Sequence, residues 1–123
     1  MNRLTTKFMG FQLINPFVLA SAPPTATPAM IERAFDAGWA GAVIKTLVDE
    51  PVKNYCNRFG SNRMGKHVYG LQNIELASEI SVQDWFDGTR RLKKIYPDRL
   101  IIGSIMADAR DYDGWLRLAL GCQ

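Results

Sequence analysis

Residues Gly41-Ala-Val-Ile-Lys-Thr46 make an apolar run that closes on a cation and a hydroxyl. An earlier run, within Asn15-Pro-Phe-Val-Leu-Ala-Ser-Ala-Pro-Pro-Thr25, closes on small and hydroxyl residues. A segment of helical spacing lies between them. Strands covered on both faces read as near-continuous apolar runs. Two of them joined through a helix predict a parallel βαβ unit. In such folds ligands bind at the carboxyl ends of the strands. A lysine at that end predicts an anionic group to meet it, because an unpaired buried ammonium is costly.

The rest of the chain extends the same pattern. Residues 5–9 and 11–14 read as two short strands around Gly10, and residues 18–21 as a third after the Asn15-Pro16 turn. Thr27-Pro28 is a helix start, with Met30, Ile31, Ala34, Phe35 and Ala37 at near-helical spacing and Gly38 as the stop. Residues 41–47 are the next strand. Residues 48–73 carry no clear periodicity, and they read as a long loop of the kind that usually has a function. Ser81 caps a helix over 82–95, which Pro97-Asp98 ends. Residues 100–106 are a further parallel-type strand, and 111–120 are helical. The expectation is an α/β chain with an N-terminal hairpin and about three βα units, forming one domain over residues 1–123.

Composition narrows the function classes. A hydrophobic fraction of 47% suits a folded globular protein. The formal charge of +3 is modest. The densest basic stretch, Arg90-Arg91-Leu92-Lys93-Lys94, falls on a predicted helix and reads as a solvated face. Nucleic acid is therefore not an expected partner. Cys56 and Cys122 fit no metal-ligand spacing, and an iron–sulfur cluster takes four thiolates, so no cluster is expected in this chain. Met1 to Ala22 has some features of an export signal, but Gln12, Asn15 and Pro16 interrupt its apolar part. No run reaches the ~20 apolar residues of a membrane span. With two isolated cysteines, these features predict a reducing, cytoplasmic setting. No G-x-G-x-x-G follows a strand, so a nicotinamide site in this chain is not expected.

Six segments together resemble the dihydroorotate and dihydropyrimidine dehydrogenase family, and most closely its dihydropyrimidine branch. They are Asn15-Pro16-Phe17, Ala20-Ser21-Ala22-Pro23-Pro24, Arg33-Ala34-Phe35-Asp36-Ala37-Gly38-Trp39, Lys45-Thr46, Asn73-Ile74-Glu75 and Ser104-Ile105-Met106. They occur in order across nearly the whole chain. The resemblance implies the N-terminal part of an FMN-binding TIM (β/α)8 barrel, which needs roughly 250 residues when complete. It also implies reduction of uracil or thymine to the 5,6-dihydropyrimidine. Electrons would come from a nicotinamide through flavin and iron–sulfur modules on a partner chain or further domains. The family's acid-catalyst segment, of Asn-x-Ser-Cys-Pro type, has no counterpart before Gln123, and neither Cys56 nor Cys122 stands in that setting. The expectation is thus a fragment that is inactive alone. The alternatives are a non-catalytic half-barrel module that self-associates as a homo-oligomer, and a dihydroorotate dehydrogenase-like enzyme.

Spacing alone leaves Lys45 open between a ligand contact and a strand-end lysine reaching into solvent. The resemblance puts it beside the isoalloxazine, as both catalytic and cofactor-binding. A fixed ammonium there stabilises negative charge on the reduced ring. Its expected effect on folding is small, on the view that it is solvent-reachable. Ala20, Ser21 and Thr46 match residues that line the flavin, where small side chains allow close backbone approach. Asn73 matches a substrate contact, since an amide that donates and accepts can read a pyrimidine edge. Glu75 is expected to cap the following turn rather than act as a base. Gly70 and Leu71 are expected to shape a pocket floor, Met106 to fill the core, and His67 to lie exposed in the loop.

Overall fold

The computed structural model describes residues 4–55 and 58–123. It is a mixed α/β structure. Strands β1 (Thr6–Phe8) and β2 (Phe11–Leu13) pair antiparallel through a turn at Met9 and Gly10, both at positive φ. Strands β3 (Val18–Leu19), β4 (Gly41–Val43) and β7 (Leu100–Ile102) form a parallel sheet in the order β3-β4-β7. Each is followed in the chain by a helix: α1 (Pro28–Asp36), α2 (Val82–Ile95) and α3 (Tyr112–Gly121). The three expected strands are therefore adjacent and parallel. The hairpin lies against their amino-terminal end, where Leu13 packs with Ala40 and Leu100.

Local chemistry sets the helix ends. The Thr27 hydroxyl accepts from Met30 N–H and Pro28 fills the first helical position. Gly38, at φ 96°, carries the chain out of α1 in a conformation that a side chain would strain. Ser81 accepts from Asp84 N–H at the start of α2, and Asp111 from Gly114 N–H at the start of α3. The apolar stripes of these helices cover one face of the sheet. Ile31 and Phe35 of α1, Trp85 and Leu92 of α2, and Leu118 of α3 pack with Ala42, Ile44 and Leu47. Trp85 is fully buried, and its indole N–H donates to Ser78 Oγ at 2.7 Å, so the largest core residue carries no unpaired donor.

Two expectations need correction. The strands are shorter than the apolar runs. Ile44 N–H still donates to the Ile102 carbonyl at 3.0 Å, but Lys45 N–H turns to the Thr25 carbonyl at 3.0 Å, and strand pairing returns at the Leu47–Ile105 bridge. The segment expected as a structureless loop contains an antiparallel hairpin, β5 (Phe59–Met64) and β6 (His67–Asn73), turning at Gly65 with φ 60°. Its residues are exposed apart from the partly covered Gly60 and Gly70. With neither face buried, there is no reason for polarity to alternate along it, and the pattern that marks a half-buried strand is absent.

Candidate functional site

At the carboxyl ends of the parallel strands three hydroxyls form a row. Ser21 Oγ lies 3.4 Å from Thr46 Oγ1, which lies 2.9 Å from Ser104 Oγ. Each belongs to the segment just beyond one strand, so the sheet itself sets their order. Ala20 is exposed, and its carbonyl accepts from the Thr25 hydroxyl at 3.2 Å. Thr25 is completely buried and also accepts from Ala22 N–H at 3.1 Å. It thus pins the Ala20–Pro24 turn to the point where β4 ends.

Lys45 differs from its expected placement. It is only 7% exposed rather than solvent-reachable. Its ammonium lies 3.0 Å from Glu75 Oε1, and Arg58 Nη1 lies 3.4 Å from the same oxygen. Asn73 is exposed, and its amide N–H donates to Glu75 Oε2 at 3.5 Å. Asn73 is the last residue of β6 rather than part of a loop. The expected cofactor lysine and substrate asparagine are thus joined, through a carboxylate that sequence reasoning treated as a turn cap. The signal was present: a lysine at a buried strand end needs an anion, and Glu75 lies two residues from Asn73.

A cavity of about 190 Å³ opens beside this cluster, lined by Lys45, Arg58, Glu75, Asn54, Thr27 and Met30 among others. Ala20, Ser21, Thr46 and Asn73 do not line it. A larger cleft of about 600 Å³ lies away from all five candidate residues, between Phe86, Ile101, Gly103, Leu120 and Cys122. Its walls come from β7, α2, α3 and the segments beside them, and its charged lining is cationic: Arg90, Lys93 and Arg99. Burial in it pushes the Cys122 thiol up, which disfavours a reactive thiolate. Met106 is 47% exposed instead of filling the core. His67 is exposed as expected, though on a strand. Leu71 is 84% exposed and, like Gly70, lines neither cavity. Cys56 lies outside the described residues. Among the described residues no cluster of three or more His, Cys, Asp or Glu could hold a metal ion, and no helix is long and apolar enough to cross a membrane.

The polar groups at this end of the sheet are thus three hydroxyls in a row and one buried, ion-paired ammonium. No protein-family model matches the chain. It is 36% identical over 113 residues to the chloroplastic dihydropyrimidine dehydrogenase (NADP(+)) of Arabidopsis thaliana. It is 33% identical over 106 residues to the PreA subunit of the NAD-dependent dihydropyrimidine dehydrogenase of Escherichia coli. Both matches cover 85% of this chain and 26% of the relative. The catalytic subunit of dihydroorotate dehydrogenase B (NAD(+)) from Pyrococcus horikoshii is 39% identical over 54 residues, 44% of this chain and 18% of that protein. The chain belongs to the dihydroorotate and dihydropyrimidine dehydrogenase family of oxidoreductases. It spans about a quarter of the length of the dihydropyrimidine dehydrogenases it matches.

Proposed function

We propose that this chain is the N-terminal part of an FMN-dependent dihydropyrimidine dehydrogenase barrel, and that its role is to hold the flavin and one edge of the pyrimidine. The observation that carries this reading is the buried Lys45 beyond the central parallel strand, beside the Ser21–Thr46–Ser104 row and joined through Glu75 to Asn73. FMN, when bound, would supply the hydride chemistry. The chain's own residues would do the rest. Lys45 would set a fixed positive charge against the electron-rich edge of the ring. Ser21 and Thr46 would offer hydroxyls to its polar atoms, and Ala20 would let the backbone approach. Asn73 would read the substrate's amide-like edge.

The three parallel βα units support the barrel reading, which needs further strands to close the sheet. That the Escherichia coli relative is named a subunit supports partner modules as the electron source. Uracil or thymine is the proposed substrate and the cytoplasm the proposed setting. The test is titration of FMN into the purified chain, followed by quenching of flavin fluorescence. Saturable binding that weakens in Lys45→Met supports the reading, and no binding at micromolar protein overturns it. A second reading, a self-associating half-barrel, draws on the open edges that β3 and β7 present among the described residues. A dimer that binds no FMN would favour it.

A further inference from the structure

Lys45 and Asn73, on which the flavin reading turns, are both held by one side chain. We propose that Glu75 is the positioning residue of this site, a single carboxylate that fixes the Lys45 ammonium through Oε1 and the Asn73 amide through Oε2. The inference rests on the flavin reading for the identity of the ligand, but not for the contacts themselves.

A lysine tip is a compact charge on a flexible four-carbon stem, and left alone it reaches for water. Here the Lys45 and Glu75 side chains are only 8% and 9% exposed at a separation of 3.0 Å. Arg58, whose side chain is 34% exposed, shares the same oxygen at 3.4 Å, and solvent screens that contact more. Lys45 is thus the dominant partner of Glu75.

A purely structural role, tying the β5–β6 hairpin to the sheet, is already filled by other bonds. Ile74 N–H donates to the Arg58 carbonyl at 2.7 Å across the base of the hairpin. Asn54 accepts from Leu76 N–H at 2.8 Å and donates to the Ala77 carbonyl at 2.9 Å. Ser78 N–H donates to the Thr46 carbonyl at 2.9 Å. The segment around Glu75 is anchored without its charge, and the charge is left to act on Lys45 and Asn73. The contact at 3.5 Å uses one of the two Asn73 amide N–H groups, so the other N–H and the amide oxygen remain for a ligand. Loss of the negative charge leaves the Lys45 and Arg58 cations facing each other across the emptied contact, and Lys45 is driven outward.

The test compares the wild-type chain with Glu75→Gln, Glu75→Asp and Arg58→Gln. Native-state acylation of lysines is read residue by residue by mass spectrometry, and FMN titration is run in parallel. Lys45 is expected to acylate about tenfold faster or more in Glu75→Gln, as the loss of a buried partner implies. Glu75→Asp is expected to restore most of the protection, and Arg58→Gln to stay within about twofold of wild type, as an exposed pair implies. FMN affinity is expected to fall about tenfold in Glu75→Gln, in step with the displaced cation.

Unchanged Lys45 acylation in Glu75→Gln overturns the inference whatever happens to FMN. A wild-type chain that binds no FMN overturns the flavin reading instead, and the acylation result still decides the role of Glu75. If Glu75→Gln does not fold, the double variant Lys45→Met/Glu75→Gln removes both charges and is expected to recover a folded chain. Failure of that rescue overturns the inference, since a lost positioning partner is compensated by removing the residue it positions and a lost structural strut is not.

Discussion

A buried lysine is tolerated only with its counter-charge, so Lys45 carries consequences for stability as well as for binding. Truncating one partner of a buried pair typically costs about 3–5 kcal/mol, because it strands the other charge. Lys45→Met leaves Glu75 with Arg58 alone, so the expected loss lies toward the lower end of that range. The shift in the urea midpoint measures it, and a midpoint unchanged from wild type would show that the pair does not form in solution. Tyr96 provides a pH-dependent counterpart. Its hydroxyl donates to Asp36, and this bond, with burial and the nearby carboxylates of Asp36 and Glu32, pushes the phenol up to about 12, against a small lowering by Arg91. The folded value is raised, so the stability the bond contributes is present below the ordinary phenol range near 10. It is lost as pH rises toward about 12. The stability difference between wild type and Tyr96→Phe should therefore be constant near neutrality and shrink across that alkaline window. A difference that does not change with pH would rule the linkage out.

Among the elements, α2 comes close to the start of α1 at Gly88. A Cβ there would lie 2.3 Å from Pro28 Cγ, at the start of α1. Alanine is favoured over glycine inside a helix by about 1 kcal/mol, whereas overpacking costs typically about 1–3 kcal/mol. At 2.3 Å from a rigid proline ring, overpacking is expected to win. Gly88→Ala should lower the melting temperature, and a rise would mean that α1 can slide away at little cost. Two helix starts were legible because caps are local: Thr27 and Ser81 each accept from a backbone N–H three residues on. Asp111 caps α3 in the same way, although the sequence reading places it inside the helix. The β5–β6 hairpin was not, because neither face is buried and its pairing is made by the backbone.

For the molecule as a whole, the parallel order β3-β4-β7 brings Ser21, Thr46 and Ser104 to one end of the sheet. If that end holds flavin, the 123-residue chain is still expected to show no uracil- or dihydrouracil-dependent redox activity by itself. The resemblance calls for a cysteine between Ser and Pro to exchange the one proton that accompanies the hydride, at C5 of the pyrimidine, and neither Cys56 nor Cys122 has those neighbours. Anaerobic assay with FMN, dithionite and uracil measures this, and dihydrouracil formation would refute it.

The alternation of strands and helices, the caps at Thr27 and Ser81 and the parallel order of the strands that begin near residues 18, 41 and 100 were legible in the sequence. They follow from periodicity, short-range hydrogen bonding and the crossover rule, whereas the family was legible from the six resembling segments. The folded chain alone reveals that Lys45 is buried rather than solvent-reachable, that Glu75 is its partner across 30 positions, and that Asn73 joins the same carboxylate. An ion pair between distant residues leaves no periodic trace. It exists because the end of β4 and the segment after β6 are folded into one low-dielectric site, where neither charge can remain unpaired.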